Sequence, residues 1–150
     1  MKLQKSTSLA LYSVLEAAST PDRQIAAAEI AEKYGVSTHH LAKVLRELGR
    51  AGILESARGV GGGYRFSGNA KRLTLLDVIE IFEDISARSP EDEGEPVTDV
   101  GVALGRILSE IDEIARATFR SITIDTMLKL MDPARRPARA AAPRPDRAPA

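Results

Sequence analysis

The stretch Gly35-Val36-Ser37 constrains the fold more than any other part of the chain. Glycine readily takes the left-handed conformation that closes a helix, and serine accepts a hydrogen bond from a free backbone N–H at the start of the next one. Only Val36 separates the two signals, so one helix must stop and another begin within a tight turn. Before the turn, AAAEIAEKY reads as a short helix with Ile30 and Tyr34 on one side. After it, Leu41, Val44, Leu45 and Leu48 recur at i, i+3, i+4 and i+7, which gathers them on one helical face as core. A preceding helix is expected from Ser6 to about Ala18, with Leu9, Leu11, Tyr12, Val14 and Leu15 at near-helical spacing and Thr20-Pro21-Asp22 as its turn.

The opposite face of the helix after Ser37 carries His39, Lys43, Arg46 and Arg50 within a sector of about 60°. Gly52 ends that helix, ILES (53–56) reads as a strand, RGVGGG as its turn and YRF (64–66) as the returning strand. Ile25 reads as a one-residue strand contact. Thr74-Leu75-Leu76-Asp77 resembles a capping box that opens a helix through Ile79, Ile81 and Phe82 to about Ile85. The acidic, Pro/Gly-containing segment 86–99 is expected to be an exposed loop or hinge. From about Val100 to Phe119, Leu104, Ile107, Leu108, Ile111, Ile114, Ala115 and Thr118 follow a heptad-like rhythm. Such a helix outruns the core its own chain offers, and a partner helix is the natural complement. IDTMLKLM is expected to fold back on it, and the Pro/Ala/Arg segment 132–150 to form a disordered basic tail.

The domains expected are therefore a head over 1–85, the loop or hinge 86–99, a pairing segment over 100–131 and the tail 132–150. The fold class is mainly α with a small β-hairpin. A hydrophobic content of 43% in 150 residues suffices for one real core. No window approaches a membrane span and MKLQKSTS lacks the apolar centre of a signal peptide, so a cytoplasmic protein is expected. The chain has no cysteine, which excludes thiolate nucleophiles, disulfides and cysteine-held metal centres. His39 and His40, its two histidines, adjoin each other, so no nucleophile–base pair is readily assembled and no enzyme is expected. Net charge is zero by cancellation: residues 1–72 hold 11 basic and 6 acidic side chains, 73–131 hold 5 and 13, and 132–150 hold 5 and 2. A basic N-terminal part faces a polyanion; the acidic remainder has another task.

Arg58-Gly59-Val60-Gly61-Gly62-Gly63-Tyr64 invites a phosphate-loop reading and fails it. The last glycine is succeeded by no lysine, and Tyr64-Arg65-Phe66 reads as a strand, whereas a phosphate loop leads into a helix whose N-terminus faces the anion. A turn between two helices, a basic outer face on the second and a glycine-rich hairpin behind it describe a winged helix-turn-helix DNA reader. The helix after Ser37 would lie in the major groove, with Thr38 and Arg46 placed toward DNA by helix geometry. Arg58 suits the negative potential of a narrow minor groove, and Gly59, Gly61, Gly62, Gly63 and Tyr64 complete the wing.

These residues also resemble a family. IAEKYGVSTHHLAKVLRELGRAGILESARGVGGGYRF, the helix opening LLDVIEIFE and the closing ITIDTMLKL are similar to the Rrf2 family of bacterial winged-helix regulators, with the R-G-x-x-G-G-Y wing as the most specific part. The resemblance covers about residues 1–131. It implies a homodimeric transcription factor whose long helices cross near the dyad and whose two winged heads bind a near-palindromic operator in double-stranded DNA. Ser37, His39, His40 and Lys43 match the family's recognition-helix contacts, Arg58 matches its wing arginine, and Lys5 is a weaker match for a phosphate contact. The alternative for each histidine is that it caps or packs against the turn.

Members that sense iron–sulfur state hold a cluster with three cysteines in the loop before the long helix, where this chain has SARSPEDEGEPVTD. No cofactor is therefore expected. Glu91, Asp92, Glu93, Glu95 and Asp99 would suit only a hard cation, and a solvated acidic loop is the reading adopted. The expected function is a DNA-binding transcriptional repressor, homodimeric, answering to a small-molecule or protein effector or to none. The alternative is a winged-helix module that docks proteins without sequence-specific DNA binding.

Overall fold

The computed structural model describes residues 1–85, 97–132 and 134. Most of the expected loop 86–99, with Glu91, Asp92, Glu93 and Glu95, and nearly all of the expected tail 132–150 lie outside the described residues. The described residues form six helices and a two-stranded antiparallel hairpin: α1 (Lys5–Ser19), α2 (Ala27–Tyr34), α3 (Thr38–Arg50), β1 (Leu54–Ala57), β2 (Gly63–Phe66), α4 (Leu75–Ile79), α5 (Asp99–Ser121) and α6 (Ile124–Met131). The fold is mainly α with a β-hairpin wing, as the sequence leads one to expect.

Local chemistry sets the element ends. Gly35 sits at φ 61°, and the Val36 N–H donates to the Ala31 carbonyl at 3.0 Å, closing α2. The Ser37 Oγ then accepts from the His40 N–H at 3.1 Å and opens α3. Gly52, at φ 73°, ends α3 as the Ile53 N–H donates to Leu48. The Thr74 hydroxyl accepts from the Asp77 N–H while the Asp77 carboxylate accepts from the Thr74 N–H, a reciprocal cap for α4.

The core gathers one stripe from each helix of the head. Leu9, Ala10 and Val14 of α1, Ile30 of α2, Leu41, Val44, Leu45 and Leu48 of α3 and Leu76, Val78 and Ile79 of α4 are buried. Burying one such large side chain is worth about 1.5–3 kcal/mol, so the four of α3 hold that helix in place. A polar network ties α1 to α2: Glu16 accepts from Lys33 and from the Tyr34 hydroxyl, both at 2.5 Å, and the Tyr12 and Tyr34 rings stack at 4.7 Å. Burial pushes the Glu16 carboxyl up, but the Lys33 and Tyr34 hydrogen bonds and the charges of Lys33 and Arg23 outweigh it, holding it below the usual range.

Two expectations need correction. The helix opened by Thr74 stops at Ile79 and does not run to Ile85, because Ile81 and Phe82 donate to Val78 and Ile79 in tight turns. Their side chains, with that of Ile85, still reach the core, which is why the apolar spacing imitates a longer helix. IDTMLKLM does form α6, but it packs on α1. Backbone bonds tie its start to residues 70–75: Leu75 N–H to Ile122 O, Ile124 N–H to Leu73 O and Asp125 N–H to Ala70 O, all 2.8–2.9 Å, with Ile124 wholly buried.

Candidate nucleic-acid interface

The basic face of α3 is positioned by the burial of its other face. With Leu41, Leu45 and Leu48 fully enclosed, His39, Lys43, Arg46 and Arg50 are all exposed on the outside, and so are Ser37 and Thr38 at the amino end. Arg50 is tied to Glu47 at 2.9 Å near the far end. His40 differs from its neighbour. It is half-buried, and its Nε2 is closed off from solvent without a hydrogen-bond partner, so the ring turns partly inward. Lys5 opens α1 and is exposed.

The wing is a short antiparallel hairpin bridged to the head at its base. β1 and β2 pair with Leu54 opposite Phe66, Glu55 opposite Arg65, Ser56 opposite Tyr64 and Ala57 opposite Gly63. Arg65 pairs with Glu55 across the strands at 3.2 Å, while Arg58 stands exposed where the turn begins. Its glycines have separate duties. Gly59 and Gly61 lie at φ 103° and 75°, where side chains are strained. Gly63 has no room for a Cβ, which would stand 2.5 Å from the Ile25 carbonyl oxygen. That close approach lets Tyr64 and Ile25 exchange two backbone hydrogen bonds of 2.9 and 2.8 Å, anchoring the wing to the head. Tyr64 is thus partly buried at the wing's base, away from its tip.

The sequence reading missed Val60. Between two positive-φ glycines, its side chain is fully exposed at the wing tip.

On α5 no residue is buried. Leu104, Ile107, Leu108, Ile111 and Ile114 remain 48–61% exposed; Ala115 is half-buried and Thr118 is exposed, its hydroxyl donating to the Ile114 carbonyl. The carboxyl-terminal half of α5 meets α4, where Arg116 pairs with Glu80.

The profile of the Rrf2 family, described as an iron-dependent transcriptional regulator, matches residues 3–130. The chain belongs to this family. BadM of Rhodopseudomonas palustris, named as a candidate HTH-type transcriptional regulator, is 53% identical over 136 residues, covering 91% of this chain and 86% of the relative. Protein aau3 of Rhizobium meliloti is 35% identical, covering 86% of each. Among solved structures, CymR of B. subtilis, described as the global cysteine regulator of that organism, superposes with a TM-score of 0.73 at 23% identity, covering 88% of this chain and 99% of its own. T. potens IscR gives 0.66 at 21%, covering 89% and 90%. These two likenesses bear on the fold.

The family description names iron, and this member's donors do not fit a cysteine-held iron–sulfur cluster. The chain has no cysteine, and among the described residues no group of three or more His, Asp or Glu side chains converges as a metal site. Among those residues, too, no helix is long and apolar enough to cross a membrane.

Proposed function

We propose that this Rrf2 regulator is a homodimeric transcriptional repressor of the cytoplasm, not an enzyme, that binds a near-palindromic operator. The head over 1–85 meets DNA, and α5 within 100–131 joins the two copies. The observation that carries the reading is the division of α3 into an enclosed apolar face and an exposed face of His39, Lys43, Arg46 and Arg50, with the wing beside it. In the major groove, Ser37, Thr38, His39, Lys43 and Arg46 reach base edges and flanking phosphates. Arg58 enters or borders the minor groove, while Lys5 contacts a phosphate. His40 supports the start of α3 from its half-buried position.

The pairing of copies is supported by α5, a helix of 23 residues whose Leu104, Ile107, Leu108, Ile111 and Ile114, together with Val100 and Val102 near its start, stand exposed to solvent. A continuous apolar surface of this kind marks an interaction site on a soluble domain. Regulation then rests on a small-molecule or protein effector, or on none, and not on a cysteine-held cluster.

The test is a gel-shift series on the regulator's own promoter region with increasing salt. Retardation should weaken steeply, because phosphate contacts release counterions. Absent or salt-independent binding, with capture of a stoichiometric protein partner, would instead establish a protein-docking module.

A further inference from the structure

Val60 is the most exposed large hydrophobic side chain among the described residues, at 111% of its reference area, ahead of Met1 at 78%. Turn positions ordinarily take Gly, Asn, Asp, Ser or Pro for their backbone and hydrogen-bonding properties, and a branched hydrocarbon supplies neither. The turn that carries it is closed: Gly59 and Gly61 take φ 103° and 75°, and the Gly62 N–H donates to the Gly59 carbonyl at 3.0 Å. A Cβ on Gly62 would stand 2.5 Å from the Ala57 carbonyl oxygen, so the tip is tightly wound. The wing's base is bolted to Ile25. Val60 is thus a stiff-rotamer apolar knob held out on a closed turn, and its side chain loses little freedom when it is covered.

What covers it is indicated by charge. Arg58 stands beside it, α3 presents a basic face, and residues 1–72 carry 11 basic against 6 acidic side chains. A second wing tip would bring a like charge, whereas a polyanion with apolar walls complements both residues. We propose that Val60 packs against the deoxyribose walls and floor of the minor groove and makes the wing select A·T over G·C at the step it covers. This rests on the reading that the wing meets the minor groove, and adds to it a residue that discriminates.

The chemistry of the groove supplies the selectivity. An A·T floor offers acceptors and the flat C2–H edge of adenine, which a methyl group can approach. A G·C floor adds the guanine N2 amino group as a donor. Valine pressed on that amino group removes its water and offers no acceptor, leaving a buried donor unpaired. Arginine alone favours the groove by its potential; Val60 supplies the penalty against the wrong pair.

The experiment uses the full-length protein and the duplex it selects from a random-oligonucleotide pool. Pairs protected from minor-groove cleavage by the wild type but not by Arg58→Ala define the wing contact. At those positions A·T is replaced by G·C, and by inosine·C, which keeps the major-groove edge of G·C but lacks the N2 amino group. Anisotropy titrations should show wild-type affinity falling about tenfold on G·C and returning to within about twofold of A·T on inosine·C. Val60→Gly should bind all three duplexes within about threefold, with an unchanged salt slope. Val60→Thr, of the same shape but with an acceptor oxygen, should tolerate G·C. The inference is overturned if Val60→Gly keeps the G·C penalty, if inosine·C binds as poorly as G·C, or if the protected positions carry no A·T preference. Arg58→Ala separately should lower the salt slope by about one per wing. If it changes neither affinity nor slope, the wing reading itself fails; if it does and the Val60 arm fails, only Val60 loses its role.

Discussion

α3 and α5 are both amphipathic, and their apolar residues meet opposite fates. Leu41, Leu45 and Leu48 of α3 are wholly enclosed by α1, α2 and the start of the hairpin, whereas α5 buries nothing and leaves Leu104, Ile107, Leu108, Ile111 and Ile114 about half exposed. Periodicity marks an apolar face without saying whose surface covers it. For α3 the same chain does so, because the Gly35 turn and the Gly52 stop fold it back within a few residues. The amino-terminal part of α5 stays uncovered among the described residues, and in the proposed pairing a second copy covers its seam.

The sharpest way to break this contrast is to charge the seam. Ile107→Asp combined with Ile111→Asp places four carboxylates across a two-fold interface, each costing several kcal/mol to desolvate without a partner. Light scattering should then give the 16.2 kDa chain mass where the wild type gives about twice that. Circular dichroism should retain the head's helices. A wild-type monomer at micromolar concentration would remove the seam argument altogether.

A matched pair of truncations sharpens it next. Leu45→Ala empties a site of zero exposure and should lower unfolding stability by about 2–5 kcal/mol. Leu108→Ala, at a side chain 48% exposed, should leave the isolated head unaffected and make thermal unfolding more dependent on protein concentration, since it loosens only association. Equal losses at both positions, each independent of concentration, would show that α5 is covered by its own chain.

The wing and the head divide in a different way, and here lies much of what the sequence leaves illegible. The turn at Gly35, the caps at Ser37 and Thr74 and the stop at Gly52 are local chemistry, and each reads directly from residue type and spacing, whereas Ile25 suggests a strand contact without indicating that its partner is the distant Tyr64. The docking of α6 depends on Thr74 finding Thr123, far along the chain, and no local pattern records that pairing. Ile81, Phe82 and Ile85 mislead because turns bury them as a helix would. In RGVGGGY the glycines read as a group, yet they serve turn conformation at Gly59 and Gly61, closure at Gly62 and anchorage at Gly63. His39 and His40, equivalent in sequence, separate by the 100° between consecutive helical positions into an outward and a partly inward ring. Gly63→Ala tests the anchorage: a Cβ 2.5 Å from the Ile25 carbonyl oxygen forces the wing off the head. It should cost about 1–3 kcal/mol of stability and weaken operator binding further than Arg58 truncation alone, as both wing residues lose their mount.

The smallest effect concerns the tie between α1 and α2, where a polar network adds to the apolar contact of the core and the Tyr12–Tyr34 stack. Glu16 is ionised more readily in the folded chain than in the unfolded one, so its contribution is present above the unfolded value of about 4.3 and is lost as pH falls through the lower folded value. Glu16→Gln keeps the shape and removes the charge. Because the pair is partly solvent-screened, with Lys33 mostly exposed, the loss at neutral pH should stay under about 1 kcal/mol, a shift of roughly 2–4 °C in Tm at most. Melting curves of the two proteins should differ near pH 7 and converge in strong acid. The difference should not depend on protein concentration, because the Glu16 network belongs to the head and not to the α5 seam. A gap that persists unchanged into strong acid would mean that Glu16 acts through its shape and neutral hydrogen bonding, and that its charge contributes nothing to the α1–α2 joint.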